Sequence, residues 1–173
     1  TNEFLIASST NEQMVAKVLK IKEDGTTLWK KRYPQHGELT DIAVTTDGYF
    51  LSGHKESFKG GIDGSITKIS PNGLVIWNKV FGNPEGGTNT FFSDYIVSNE
   101  LIFDECWSIA NMNNLGVVVA CGTGIEECDI LRGQKRRDCE KDPRQTWRSY
   151  LVNINFDGDI IWEKTGCLLY TSP

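Results

Sequence analysis

Two histidines, five cysteines and one cluster of arginines are the residues of this 173-residue chain whose types could carry chemistry. A nucleophilic triad needs a base held by an orienting acid, and only His36 and His54 could supply the base. Neither stands in a Gly-x-Ser-x-Gly or comparable context, and both lie near turn residues, so both are expected to be solvated loop histidines. The acids Asp24, Asp47 and Asp157 each precede a glycine in a turn that recurs along the chain, and recurrence marks scaffold. Gly60-Gly61 followed by Asp63-Gly64 lacks the Lys-Ser/Thr of a phosphate cradle and the spaced acids of a calcium loop. It reads as a tight interstrand turn. No catalytic, cofactor-binding or metal-binding residue is assigned on these grounds, and a non-enzymatic role is favoured.

The cysteines speak to compartment. Cys106 and Cys121 fall on the two strands of one expected hairpin. With Asn113-Asn114 as its loop they face each other, within reach of a disulfide at about 5.5 Å between Cα atoms. Cys128 and Cys139 bracket a polar ten-residue loop. A bridge there would remove closure entropy worth ~2–3 kcal/mol. Cys167 is left unpaired. Two such bonds imply a secreted, extracellular or organelle-lumen setting; the alternative is buried free thiols. Zinc is not expected, because no C-x-x-C pair exists and the histidines are remote from the cysteines in sequence.

The arginines lie between the repeated elements. Arg132 to Arg148 holds seven basic residues against three acids, a local charge of +4 in a chain of −5. Such residues cannot enter a sheet without burying unpaired charge, so Arg132, Lys135, Arg136 and Arg137 are expected to project as a partner-binding loop. Arginine clusters suit carboxylates, sulfates and phosphates, which makes an acidic protein surface or an anionic glycan the expected partner. The alternative is a solvated insertion. Nucleic acid is not expected, since the overall charge is negative and only Trp147 and Tyr150 are near for stacking. No membrane span is expected either, because the longest apolar run, Leu115 to Cys121, is far below the roughly 20 residues a spanning helix requires. No signal-peptide pattern opens the sequence.

The elements that must position these residues repeat. Val18 to Lys31, Ile66 to Lys79 and Leu151 to Lys164 align on Gly25, Gly73 and Gly158. Four residues before each glycine stands Ile21, Ile69 or Ile154; four after comes Trp29, Trp77 or Trp162; six after comes Lys31, Lys79 or Lys164. Asp-Gly or Asn-Gly between β-branched and aromatic flanks is the signature of a β-hairpin. The tryptophans and the isoleucines on the paired strands are expected to be buried anchors at equivalent places in successive sheets. A second hairpin alternates with the first, at Asp41–Gly53 and again at Cys106–Gly122, and Phe4-Leu-Ile-Ala-Ser8 resembles its second strand. Trp29 and Trp77 are 48 residues apart and Trp77 and Trp162 are 85 apart, which implies insertions around 83–103 and 124–146. Four-stranded units at 40–50 residues give an all-β chain, a partial β-propeller of antiparallel blades. The alternative is a β-sandwich.

The second repeat resembles a family. Thr45-Thr-Asp-Gly-Tyr-Phe-Leu-Ser-Gly53, Gly60-Gly-Ile-Asp63 and Thr67-Lys-Ile-Ser-Pro-Asn-Gly-Leu-Val-Ile-Trp-Asn-Lys-Val-Phe-Gly82 are similar to the repeat of secreted bacterial and protist β-propeller proteins. That repeat runs roughly T-S-D-G-G-Y-I-V-A-G, G-G-x-D, L-I-K-L-D-x-N-G-x-V-x-W-x-K-x-Y-G-G. The first and third repeats match it in their W-x-K hairpins. Members are quinoprotein-like in shape, so the resemblance implies the propeller fold and export but no activity. The vicinal cysteine pair of quinone-dependent alcohol dehydrogenases is absent, no cofactor is expected, and the adjacent Asp-Gly pairs do not fit the sialidase Asp-box.

Residues 1–165 are therefore expected to form about two to three blades of a longer protein, whose open edges neighbouring blades or subunits would cover. Gly166 to Pro173 resembles translated sequencing-adapter sequence and is expected to be a non-native tail. The expected role is a non-enzymatic scaffold for protein or glycan contacts. The alternatives are part of a propeller enzyme with its catalytic residues elsewhere, and a structural subunit of a larger assembly.

Overall fold

The structure, a computed structural model, describes residues 2–9, 15–56, 61–82, 103–124 and 148–166. These residues form strands β1 (Glu3–Ser8), β2 (Ala16–Lys22), β3 (Thr27–Tyr33), β4 (Glu38–Thr45), β5 (Gly48–Glu56), β6 (Ile62–Ile69), β7 (Val75–Phe81), β8 (Phe103–Asn111), β9 (Val117–Gly124), β10 (Arg148–Ile154) and β11 (Ile160–Gly166). The chain is all-β and mostly antiparallel, with a three-stranded sheet β1-β2-β3 and an eight-stranded sheet. The larger sheet divides into two meanders, β4-β5-β6-β7 and β8-β9-β10-β11, joined by one parallel pairing, Ile62 with Phe103. There are thus three successive units, two of four strands and one of three.

The three W-x-K hairpins fold alike because their turns are alike. Gly25, Gly73 and Gly158 have φ of 84°, 71° and 88°, a region that glycine enters without strain. In each, the glycine N–H closes a turn onto the carbonyl three residues back: Lys22, Ser70 or Asn155. This is the longer hairpin loop that ends in a left-handed glycine, and Asp24, Asn72 and Asp157 keep ordinary negative φ. The extra residue appears as one register shift in the same place in every unit, between Lys20 and Ile21, Lys68 and Ile69, and Asn153 and Ile154. Beyond it Lys20 pairs with Trp29, Lys68 with Trp77 and Asn153 with Trp162.

The hairpin of β8 and β9 closes differently from the expected Asn113-Asn114 loop. A 3-10 turn, Asn113–Leu115, lies inside a longer loop that Asn111 and Val117 flank as a pair. A bulge at Trp107 then restores the register, so Cys106 and Cys121 are directly opposed. Asp63 and Gly64 also depart from expectation: they lie within β6 rather than in a turn. The glycine there serves close packing inside the sheet, since a Cβ at Gly64 would come within 2.8 Å of Cys106 Sγ and 2.7 Å of the Phe81 ring. The expected insertions fall almost wholly outside the described residues, but Phe103 and Gly124 are already strand.

Two cores hold the units together. Ala16, Val18 and Tyr33 of the first unit pack on Leu39, Tyr49, Leu51 and Ile69 of the second. Phe50, Ile66 and Phe81 on the opposite face of the second pack on Val117, Val119, Tyr150, Val152 and Ile154 of the third. Each fully covered aliphatic side chain is worth roughly 1.5–3 kcal/mol. The second unit is therefore covered on both faces, which is why its strands alternate only partially between apolar and polar.

Candidate functional site

The clearest site-like arrangement is the seam between units, and it occurs twice with the same chemistry. Trp29 Nε1 donates to the Pro71 carbonyl at 3.1 Å, and Trp77 Nε1 donates to the Phe156 carbonyl at 3.1 Å. Pro71 and Phe156 stand at the same turn position, two residues before Gly73 and Gly158. The absence of a side chain on those glycines lets the indole lie against the turn, because a Cβ would come within 3.2 Å of the Trp29 ring at Gly73 and 3.1 Å of the Trp77 ring at Gly158. Tyr33 adds a hydrogen bond to the Gly73 carbonyl at 3.0 Å, and burial pushes its phenol up to about 12. The tryptophans are only partly sunk into these seams. Trp29 and Trp77 are half-buried, Trp162 is 37% exposed, and Ile21 is half-buried while Ile69 and Ile154 are covered. The expectation that all three would be largely buried fails at Trp162 and is met only in part at Trp29 and Trp77: an indole that reaches across to a turn keeps one edge in water.

A polar residue is buried opposite each tryptophan on the paired strand, and sequence reasoning passed over it. Lys20, Lys68 and Asn153 are buried. Lys68 Nζ binds Asp47 Oδ2 at 2.7 Å and the Phe156 carbonyl at 3.1 Å, with the Phe50 and Phe156 rings on either side. Its hydrogen bond holds the Asp47 carboxyl below the ordinary carboxylate range. Lys20 pairs with Glu3 at 2.7 Å over the Tyr49 ring, inside a groove of about 640 Å³ between the first and second units. Its hydrogen bonds to Glu3 and Tyr49 raise its pKa. The signal was present in the alignment, as a polar residue recurring five places before each glycine.

Both histidines are buried, which overturns the expectation of solvated loops. His36 has no exposed surface and His54 is 5% exposed. His36 Nδ1 lies 2.9 Å from Thr67 Oγ1 and 3.3 Å from Ser65 Oγ. Asn78 Nδ2 donates to Thr67 Oγ1 at 2.7 Å, so the threonine is free to give its own proton to Nδ1. Burial lowers the His36 pKa to about 4, opposed by the Ser52 backbone and assisted by His54 and Lys55. His54 Nε2 lies 3.3 Å from Glu38 Oε2, and its ring meets the exposed Trp107 edge-to-face at 5.6 Å between centroids. The physical reason for the burial is the covered seam, into which the turn after β3 carries His36.

Cys106 and Cys121 are disulfide-bonded across β8 and β9, with Cα atoms 3.9 Å apart. Cys128, Cys139 and Cys167 lie outside the described residues, as do Arg132, Lys135, Arg136 and Arg137. Two acids remote from each other in sequence, Asp63 and Asp104, flank Gly82, where a Cβ would sit 3.2 and 2.3 Å from their carboxylates. Burial raises the Asp63 pKa. Among the described residues no group of three or more His, Cys, Asp or Glu could hold a metal ion, and no helix is long and apolar enough to cross a membrane.

No known family matches the chain, and no curated protein is similar to it.

Proposed function

We propose that this chain is a run of β-propeller blades serving as a non-enzymatic scaffold for protein or glycan contacts in an extracellular or lumenal protein. The observation that carries this reading is the repeated seam: Trp29 on the turn of the second unit and Trp77 on the turn of the third, each at 3.1 Å. A sandwich packs one pair of sheets face to face. Here the second unit presents one face to the first and the other to the third, as blades do when they stack around an axis. Strands β4 and β8, the first of their units, also run beside each other: Ser108 Oγ and Ile109 N–H donate to Asp41 Oδ2 at 2.9 and 3.0 Å, and Thr40 Oγ1 donates to the Cys106 carbonyl at 2.8 Å. The Cys106–Cys121 bond supports an oxidising compartment, and the buried histidines are better suited to holding the seam than to meeting a substrate.

The contact surface in this reading is the basic stretch of Arg132, Lys135, Arg136 and Arg137, assigned by charge. Retention on a sulfated-glycan matrix and on an acidic protein surface, at low and high salt, tests it. Retention at low salt that Arg136→Glu with Arg137→Glu abolishes supports the reading. Unchanged retention and unchanged salt dependence in the double variant overturn it.

A further inference from the structure

Asn72-Gly73 is the single Asn-Gly pair in the sequence, and it lies in the turn between β6 and β7. Asn72 is exposed and Gly73 is buried. In this dipeptide the glycine has no side chain to hinder attack of its nitrogen on the asparagine amide carbon. The attack closes a ring from the Gly73 nitrogen and the Asn72 carbonyl carbon, Cα, Cβ and Cγ. Closure requires the nitrogen and Cβ on the same side of the Cα–C bond, and the native turn holds them apart. Gly73 N–H donates to the Ser70 carbonyl at 2.8 Å, and Gly73 has φ 71°. In a type I turn ended by a left-handed residue, the position of Asn72 has ψ of about 0°. The Gly73 nitrogen then stands roughly a third of a turn away from Cβ around that bond. Two side chains of the first unit keep the turn closed. Trp29 Nε1 donates to the Pro71 carbonyl at 3.1 Å and the Tyr33 hydroxyl to the Gly73 carbonyl at 3.0 Å, so their acceptors lie on either side of Asn72.

We infer that Asn72 is a site of spontaneous deamidation, gated by the seam between the first and second units. When the seam opens, the Gly73 nitrogen gives its proton to solvent base and attacks Asn72 Cγ. The side-chain amide leaves as ammonia, and a succinimide remains. Water then adds to one of the two ring carbonyls and opens the ring, giving aspartate or isoaspartate at position 72. The two products differ in what they do to the seam. Asp24 and Asp157 occupy the same place in the same turn of the other units, so aspartate leaves the hairpin as it was. Isoaspartate puts an extra main-chain methylene between the Pro71 and Gly73 carbonyls. Trp29 and Tyr33 can then no longer both meet their acceptors, and a transient opening of the seam becomes a lasting one.

The test follows the tryptic peptide Ile69–Lys79 from the full chain held in mildly alkaline buffer. Mass spectrometry counts acid in place of amide at position 72, and enzymatic isoaspartyl methylation separates the two products. The chain unfolded in urea at the same pH gives the ungated rate. The folded wild type should convert at least about tenfold more slowly, because only its open fraction reacts. Tyr33→Phe removes one hydroxyl from the seam and should speed conversion by roughly two- to tenfold, the net share of one hydrogen bond. Trp29→Ala should speed it further. Circular dichroism checks that both variants are folded, and Tyr33→Phe alone carries the test if Trp29→Ala unfolds. Conversion in the folded wild type as fast as in urea overturns the gating, and so does a folded Tyr33→Phe chain that converts no faster than wild type. No conversion of Asn72 in urea overturns the site itself.

Discussion

The Nδ1 atom of His36 lies 2.9 Å from the hydroxyl of Thr67, inside the seam where the first unit covers the second. The imidazole thus sits where solvent cannot reach its charged form, and burial sets its pKa at about 4. Between that value and the ordinary 6.5 the unfolded chain binds a proton that the folded chain does not. Stability is therefore expected to fall as pH drops from about 6.5 to about 4, by at most roughly 3 kcal/mol, and to be unaffected by this group above that window. Following the His36 ring proton by NMR against pH checks it directly. A midpoint near the ordinary value would sink the prediction.

The repeat was legible because its chemistry is local: an Asp-Gly or Asn-Gly turn, a tryptophan four places on and a lysine two beyond that form the same hairpin three times. What was not legible depends on which unit covers which face. His36 follows a proline in a connector and looks solvated until the seam closes over it. Lys68 reads as the polar side of an alternating strand, yet it is buried with Asp47 and the Phe156 carbonyl as partners. Cys106 and Cys121 were placed opposite each other on a loop the chain does not use, and the bulge at Trp107 brings them back into register.

Trp77 and Trp162 hold equivalent places in their hairpins, but among the described residues only Trp77 of the two donates to a following turn. Trp77→Ala is expected to cost about 3 kcal/mol, from lost burial and a lost hydrogen bond. Trp162→Ala should cost less than about 1 kcal/mol. Urea midpoints of the two variants measure the difference. Equal losses would mean that the seam contributes nothing beyond the hairpin itself.

The disulfide spans a sequence separation of 15 residues within one hairpin. Removing the constraint from the unfolded state is expected to cost about 3 kcal/mol. The measurement is the denaturation midpoint of a Cys106→Ala, Cys121→Ala chain against the oxidised wild type. Both sulfurs sit in the core between the second and third units, so part of any loss is packing. Reducing the wild-type chain separates the two contributions, because the thiols keep most of that volume. A reduced chain as stable as the oxidised one would remove the constraint argument.

Gly48 begins the second strand of the second unit and Gly116 stands just before that of the third, and each lies close to the carbonyl of the repeat isoleucine. A Cβ on Gly116 would stand 2.1 Å from the Ile154 oxygen, and one on Gly48 would stand 2.1 Å from the Ile69 oxygen. Their φ angles, 98° and 152°, add backbone strain for any other residue. Gly25 has φ 84° but open space around it. Alanine at Gly25 should therefore cost only the left-handed backbone penalty, about 1–2 kcal/mol. At Gly116 the strand must also move off its partner's carbonyl, and the expected loss is about 3–4 kcal/mol. Denaturant midpoints of the two alanine variants decide it. If Gly25→Ala proves as damaging as Gly116→Ala, the penalty lies in the turn conformation alone and the close approach of β9 to β10 carries no weight.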